Sequence, residues 1–241
     1  MYRLAFLLTL LAACDDPPMD AEVGAVAEEH KGDAAATATV DVLKQADRAD
    51  AVFVGRVVEV RYRESEPDGA GISVPFTFFT FEVEQGLKGV QTGERVTLRF
   101  FGGPAKETLL LSSEYPNLDV GDREIVFVQD NGYSGVPLAG GNEGRIRLSG
   151  GSVYTAAGFG LNLNGNQVRV GEFTSLAENK SQQVGDFPLD FVSSDAPRTP
   201  GLKASEEKEF VDWLANAVSD DGSGMFQNTS ADEAIYFDST L

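Results

Sequence analysis

The sequence predicts a mainly β protein, an antiparallel barrel or sandwich of short strands. Three observations predict it. Stretches dense in valine and phenylalanine, residue types that favour strands, recur between residues 51 and 170. Turn signals separate them, among them Pro67-Asp68-Gly69, Asp130-Asn131-Gly132 and Asn164-Gly165. No long helical pattern interrupts the main strands, which speaks against parallel βαβ topology. A short helix before the first strand and an amphipathic C-terminal helix complete the prediction.

The chain opens Met1-Tyr2-Arg3 and then runs apolar from Leu4 to Ala13, broken by Thr9 alone. As a helix this run rises about 15 Å, half of a bilayer core of about 30 Å. It is too short to span, and it has the charged, apolar and small-residue order of a cleaved signal peptide over residues 1–13. Its end, Leu11-Ala12-Ala13-Cys14, resembles the lipobox of bacterial lipoproteins. The resemblance implies that Cys14 receives a diacylglyceryl group and becomes the first residue after cleavage. Two or three acyl chains hold a membrane far more firmly than one. The expected location is the bacterial cell envelope, lipid-anchored and extracytoplasmic, with the covalent lipid on Cys14 and no other cofactor. Asp15 and Asp16 resemble an inner-membrane retention signal, but sorting differs among bacteria and the choice of membrane stays open.

Residues 14–36 are acidic and rich in small residues, without apolar periodicity, and read as an acylated flexible tether. His30 lies in it and is expected to be a solvated linker residue. Thr39 to Asp50 predicts a short helix, capped by Thr39 or Asp41, with Val42, Leu43 and Ala46 as its apolar stripe. Strands follow at Ala51–Arg61, Phe76–Glu84, Arg95–Phe101 and Arg123–Gln129, the third ending at Gly102-Gly103-Pro104. Glycine-rich stretches at Gly140–Gly144 and Gly150-Gly151 each lead into a short strand, and Leu161–Val170 forms a hairpin about Asn164-Gly165. Ser205, with acids after it, predicts a helix start, and Phe210, Trp213, Leu214, Ala217 and Val218 give it one apolar face. The expected organisation is a β domain over 37–178, a loop and helix over 179–219 packing on it, and a flexible tail over 220–241. Within that tail Ala234-Ile235-Tyr236-Phe237 is apolar enough to dock weakly.

The stretch Ala49–Arg147 carries further motifs. They are Ala49-Asp50-Ala51-Val52-Phe53-Val54-Gly55-Arg56-Val57, Phe81-Glu82-Val83-Glu84-Gln85-Gly86-Leu87-Lys88-Gly89, Gly102-Gly103, Val120-Gly121-Asp122-Arg123-Glu124-Ile125-Val126-Phe127, and Gly140-Gly141-Asn142-Glu143-Gly144. With these it resembles a domain of uncharacterised secreted bacterial proteins, an OB-type barrel related to the netrin-like domain of tissue inhibitors of metalloproteinases. The resemblance implies an OB-like fold and says little of activity. The inhibitors' device, a free amino-terminal cysteine that chelates the protease zinc, does not carry over, because Cys14 lies far upstream and has no partner cysteine.

Composition narrows the chemistry. A net charge of −19, from 38 acidic and 19 basic residues, speaks against nucleic-acid binding. One cysteine excludes an intrachain disulfide, and one histidine leaves no Cys/His set for zinc. A Ser-His-acid arrangement would need His30 to fold back from the tether. No nucleophile elbow or Walker loop is present. Ser205 and Lys208 match Ser-x-x-Lys without the companion motifs, and Gly158-Phe159-Gly160 does not open a helix. Glu82 and Glu84 share a strand face and are a candidate acid–base or calcium pair, though the wet side of a strand accounts for them. Asp220-Asp221-Gly222-Ser223-Gly224 lacks the ligand spacing of an EF-hand.

Phe76, Phe78, Phe79 and Phe81 put rings on both faces of one strand, with Phe100 and Phe101 doing likewise on the next. One set lines the core; the other is expected to pack under the C-terminal helix. Left exposed, Phe76, Phe78 and Phe100 are the candidate binding patch for an envelope protein or a glycan. The expected role is a membrane-anchored, non-enzymatic binding or scaffolding module. The alternatives are a carboxylate-dependent envelope hydrolase and a protease inhibitor acting through the loop Pro104–Pro116.

Overall fold

Residues 39–105, 108–112, 114–116, 118–174, 182–184, 187–189, 198–218 and 226–236 are described in a computed structural model. The signal, the lipobox with Cys14, the tether with His30 and the loop 220–224 lie outside them. The first elements are β1 (Thr39–Val40), α1 (Val42–Arg48), β2 (Ala51–Glu64), β3 (Pro75–Lys88), β4 (Arg95–Ala105), β5 (Thr108–Leu111) and β6 (Arg123–Val128). A 3-10 turn at Gly141–Gly144 leads to β7 (Arg145–Ser149), β8 (Ser152–Thr155), β9 (Phe159–Asn164) and β10 (Gln167–Phe173). A separate ribbon of β11 (Gln182–Val184) and β12 (Phe187–Leu189) precedes α2 (Glu207–Ala217).

The fold is mainly β. Ten strands form one sheet in the order β1-β10-β9-β8-β7-β6-β2-β3-β4-β5, every pairing antiparallel. The sheet does not close into the expected barrel. Closure needs the two edge strands to pair, and here β1, two residues long, and β5, four residues long, end the sheet without meeting. Three register shifts bend the β2–β3 pair instead, between Val52 and Phe53, Val54 and Gly55, and Val57 and Glu59.

The near-continuous apolar run at the start of β2 has a physical reason: both its faces are buried. Val52 and Val54 join Ile125, Phe127, Phe159 and Leu161 in one cluster, with Val42 and Ala46 of α1 and Phe210, Val211 and Leu214 of α2. Ala51, Phe53 and Val57 join Phe79, Phe81, Leu98, Phe100 and Val126 in a second, inside the curl. The two helices thus cover one face of the sheet.

Three boundaries differ from the sequence reading. Asp41 caps α1 through a bond from the Lys44 amide (3.1 Å), so the helix starts at Val42 rather than at Thr39. Ser205 does not cap α2; its hydroxyl accepts from the Leu163 amide (2.9 Å), pinning the chain to β9. Gly102-Gly103 does not end β4. Both glycines take positive φ (109° and 138°) and carry the strand on to pair with β5.

The tail expected to be flexible is in part a docked segment. Residues 226–236 lie on β3 and β4, with Ala231 and Ile235 buried against Phe76 and Phe78. The physical reason is that the outer phenylalanines of β3 need a cover, and α2 packs elsewhere, with α1 over the Val52, Ile125, Phe159 and Leu161 cluster.

Candidate functional site

Register builds the site. On the outer face of the β2–β3–β4 sheet, Arg63 sits opposite Phe76, which sits opposite Phe101. The next row is Arg61, Phe78 and Arg99, and the next Glu59, Thr80 and Thr97. Three phenylalanines are therefore flanked by three arginines on a chain of net charge −19. Phe76 and Phe101 meet edge to face at 5.7 Å, and the Arg99 guanidinium lies 5.1 Å above the Phe76 ring. Burial holds Arg99 below the ordinary range of its type, and its Nε has no hydrogen-bond partner.

Residues 226–236 occupy this face. Arg61 pairs with Asp232 (3.0 Å) and Arg63 donates to the carbonyls of Ala231 and Glu233. The Glu66 amide donates to the Ile235 carbonyl (2.8 Å). Along the outward edge of β4, the Thr97 amide donates to Asn228 Oδ1 (2.8 Å), while Asn228 Nδ2 donates to the Arg95 carbonyl (2.9 Å). Asn131 does the same one step on, accepting from the Arg99 amide (3.2 Å) and donating to the Thr97 carbonyl (2.9 Å).

The candidate patch of Phe76, Phe78 and Phe100 is not exposed: all three rings are buried, at 5%, 1% and 1% exposure. Alternation splits them. Phe76 and Phe78 belong to the outer face, under residues 226–236, whereas Phe100 points into the curl beside Phe79. Arg61, Arg63 and Arg99 complete the face and were missed. Their signal was present, since Arg61 and Arg63 alternate with Tyr62 at the end of β2, but pairing them with phenylalanines required the register.

Of the two carboxylate candidates, Glu84 is engaged in ion pairs. Glu84 bridges Arg56 (3.0 Å) and Arg123 (2.7 Å), two arginines that face each other across β2 and β6. Burial pushes its carboxyl up, but Arg123 and Arg56 outweigh that and leave it below the usual range. Arg123 also reaches Glu207 of α2 (2.9 Å). Glu82 is exposed and lies opposite Arg95 in register. Among the described residues no group of three or more His, Cys, Asp or Glu is placed to hold a metal ion. The stretch Pro104–Pro116 contains the edge strand β5, and its Tyr115 is buried with the hydroxyl 2.8 Å from Thr77 Oγ1.

A buried ion cluster was also missed. Glu124, fully buried, pairs with Arg145 (2.7 Å) and more distantly with Arg147 (3.8 Å), while Arg145 donates to Asn142 (2.9 Å). Burial pushes the Glu124 carboxyl up against the pull of both arginines. The cluster ties β6 to β7 across the register Glu124 opposite Arg147, a structural clamp rather than a site.

The chain matches no protein-family model, no curated protein and no solved structure. Among the described residues, no helix is long and apolar enough to cross a membrane.

Proposed function

We propose that this chain is a lipid-anchored, non-enzymatic binding module of the bacterial cell envelope. Its lipid sits on Cys14 of the Leu11-Ala12-Ala13-Cys14 motif, and its binding surface is the outer face of β2, β3 and β4. The partner is an envelope component, a protein or a glycan. One observation carries the binding role: apolar rings flanked by Arg61, Arg63 and Arg99 already hold a segment bearing acids, Asp232 among them. The OB-type resemblance of 49–147 enters the proposal as an opened form of that barrel, supported by the bulges that bend β2.

Two measurements test it. Cys14→Ala is expected to abolish labelling by a fatty-acid analogue and to release the chain from membranes; continued labelling sinks the anchor. For the face, the full chain is used to capture partners from detergent-solubilised envelope, beside Arg61→Glu/Arg63→Glu and a tether-only control. The arginine variant is expected to lose the partners that wild type retains over the control. Identical recovery by all three counts against a role for this face.

A further inference from the structure

We propose that the outward edge of β4 is a strand-addition site for an extended, acidic polypeptide segment, and that residues 226–236 are an intramolecular strap occupying it. This deepens the binding role above, on which it rests in taking this face as the functional one, by naming the partner's chemistry.

An edge strand presents unpaired N–H and C=O groups, and proteins cover such edges or use them to bind. On β4 the outward groups belong to Arg95, Thr97 and Arg99, and side chains satisfy the Arg95 carbonyl, the Thr97 amide and carbonyl and the Arg99 amide in place of a neighbouring backbone. The Asn131 and Asn228 amides each accept from one β4 N–H and donate to one β4 carbonyl, and Asn131 also donates to the Gln227 carbonyl of the strap (2.9 Å). A side-chain amide carries the same donor and acceptor as a peptide unit. An incoming segment can therefore replace the bonds that the strap supplies through Asn228 and Thr229, beside Asn131, which stays with the loop after β6.

The strap is shallowly held. Within 226–236 only Ala231 and Ile235 are buried, and a cavity of about 130 Å³ remains between the segment and the residues beneath it, Phe78 and Arg99 among them. Charge defines the ligand. Arg61, Arg63, Arg95 and Arg99 share this face, and Glu59 is engaged with Arg61 (2.6 Å). The strap meets them with Asp232 and with carbonyl oxygens. A partner segment that replaces it needs acids at the arginines and an apolar side chain over Phe76 and Phe78, in the manner of Ile235. Strap and partner then compete for one site, so the strap lowers the apparent affinity for any segment offered in trans.

The experiment uses the full chain and a fluorescein-labelled peptide of residues 226–236 as probe, read by anisotropy. Asn228→Ala/Ile235→Asp loosens the strap, and emission of Trp213, which packs on a cluster separate from the strap, reports that the fold is kept. A milder variant, Asn228→Ala/Thr229→Ala, leaves Ile235 in place and serves if the first does not fold. The loosened chain is expected to bind the probe at least tenfold tighter than wild type. A probe with Asp232→Lys and Glu233→Lys is expected to bind at least tenfold more weakly, and bound probe should restore slow hydrogen exchange at the Thr97 amide. Equal affinity of wild type and loosened chains overturns the strap. Equal affinity for the charge-reversed probe overturns the acidic ligand, and fast exchange at Thr97 with probe bound overturns strand addition. If these results hold while Arg61→Glu/Arg63→Glu leaves envelope capture unchanged, the edge site stands and the envelope role falls; the reverse result removes the edge site alone.

Discussion

Arg145 and Arg56 show how burial decides what an ion pair contributes. Both bind a glutamate at about the same distance, 2.7 Å and 3.0 Å. The Arg145 side chain is 2% exposed and that of Arg56 is 44% exposed. Removing one partner of a buried pair strands the other charge and costs about 3–5 kcal/mol, whereas an exposed pair contributes about 0–1 kcal/mol. Arg145→Ala is therefore expected to lower the free energy of urea unfolding by about 3–5 kcal/mol, and Arg56→Ala by less than about 1 kcal/mol. Equal losses would refute the assignment of Glu124 as the buried clamp. The alternation Arg145-Ile146-Arg147-Leu148 was visible in the sequence as two charged and two apolar positions. That the charged face is buried as well as the apolar one, opposite Glu124, was not visible, because it depends on which strand lies alongside.

Among the elements, β2, β3 and β6 were legible because their valine and phenylalanine density leaves no other structure for them. β5 was not. Gly102-Gly103-Pro104 has the composition of a turn, yet its glycines serve to bend a strand that continues. A Cβ on Gly102 would lie 2.7 Å from the Leu110 carbonyl oxygen, at a φ of 109° that other residues rarely adopt. Gly102→Ala is thus expected to push β5 off β4, with fast hydrogen exchange at residues 109–111 and little change at β6–β7. Unchanged protection of β5 would show that the close approach is not required. Of the segment 226–236 only the apolar run from Ala234 was legible as able to dock; the rest has neither helical nor strand periodicity, and the groups that order it belong to β2, β3 and β4. The apolar face of α2, with Phe210 and Trp213, finds its surface with α1, Phe159 and Leu161 and not on the β3 rings expected under it.

For the whole molecule, charge and topology act against each other. A net charge of −19 repels itself in the folded state, and the arginines that relieve it are gathered on pairs and clusters such as Arg56–Glu84–Arg123–Glu207. The range of unscreened interaction falls from about 30 Å at 0.01 M salt to about 8 Å at 0.15 M. Raising sodium chloride across that interval is expected to raise the Tm measured by circular dichroism, because long-range repulsion is screened more than the short buried pairs. A lower Tm would mean that the surface ion pairs outweigh the net repulsion.

Arg61 and Asp232, which help to seat the strap, stand 171 positions apart in the chain. During synthesis Phe76 and Phe101 emerge long before the residues that shield them, and closing so long a loop is entropically slow to be repaid. The outer face of β3 is then an aggregation hazard throughout that interval. Folding is complete only when a distant, weakly apolar segment returns to it, so a pulse of hydrogen exchange during refolding should find β3 and β4 protected on their inner side first and on the β4 edge last.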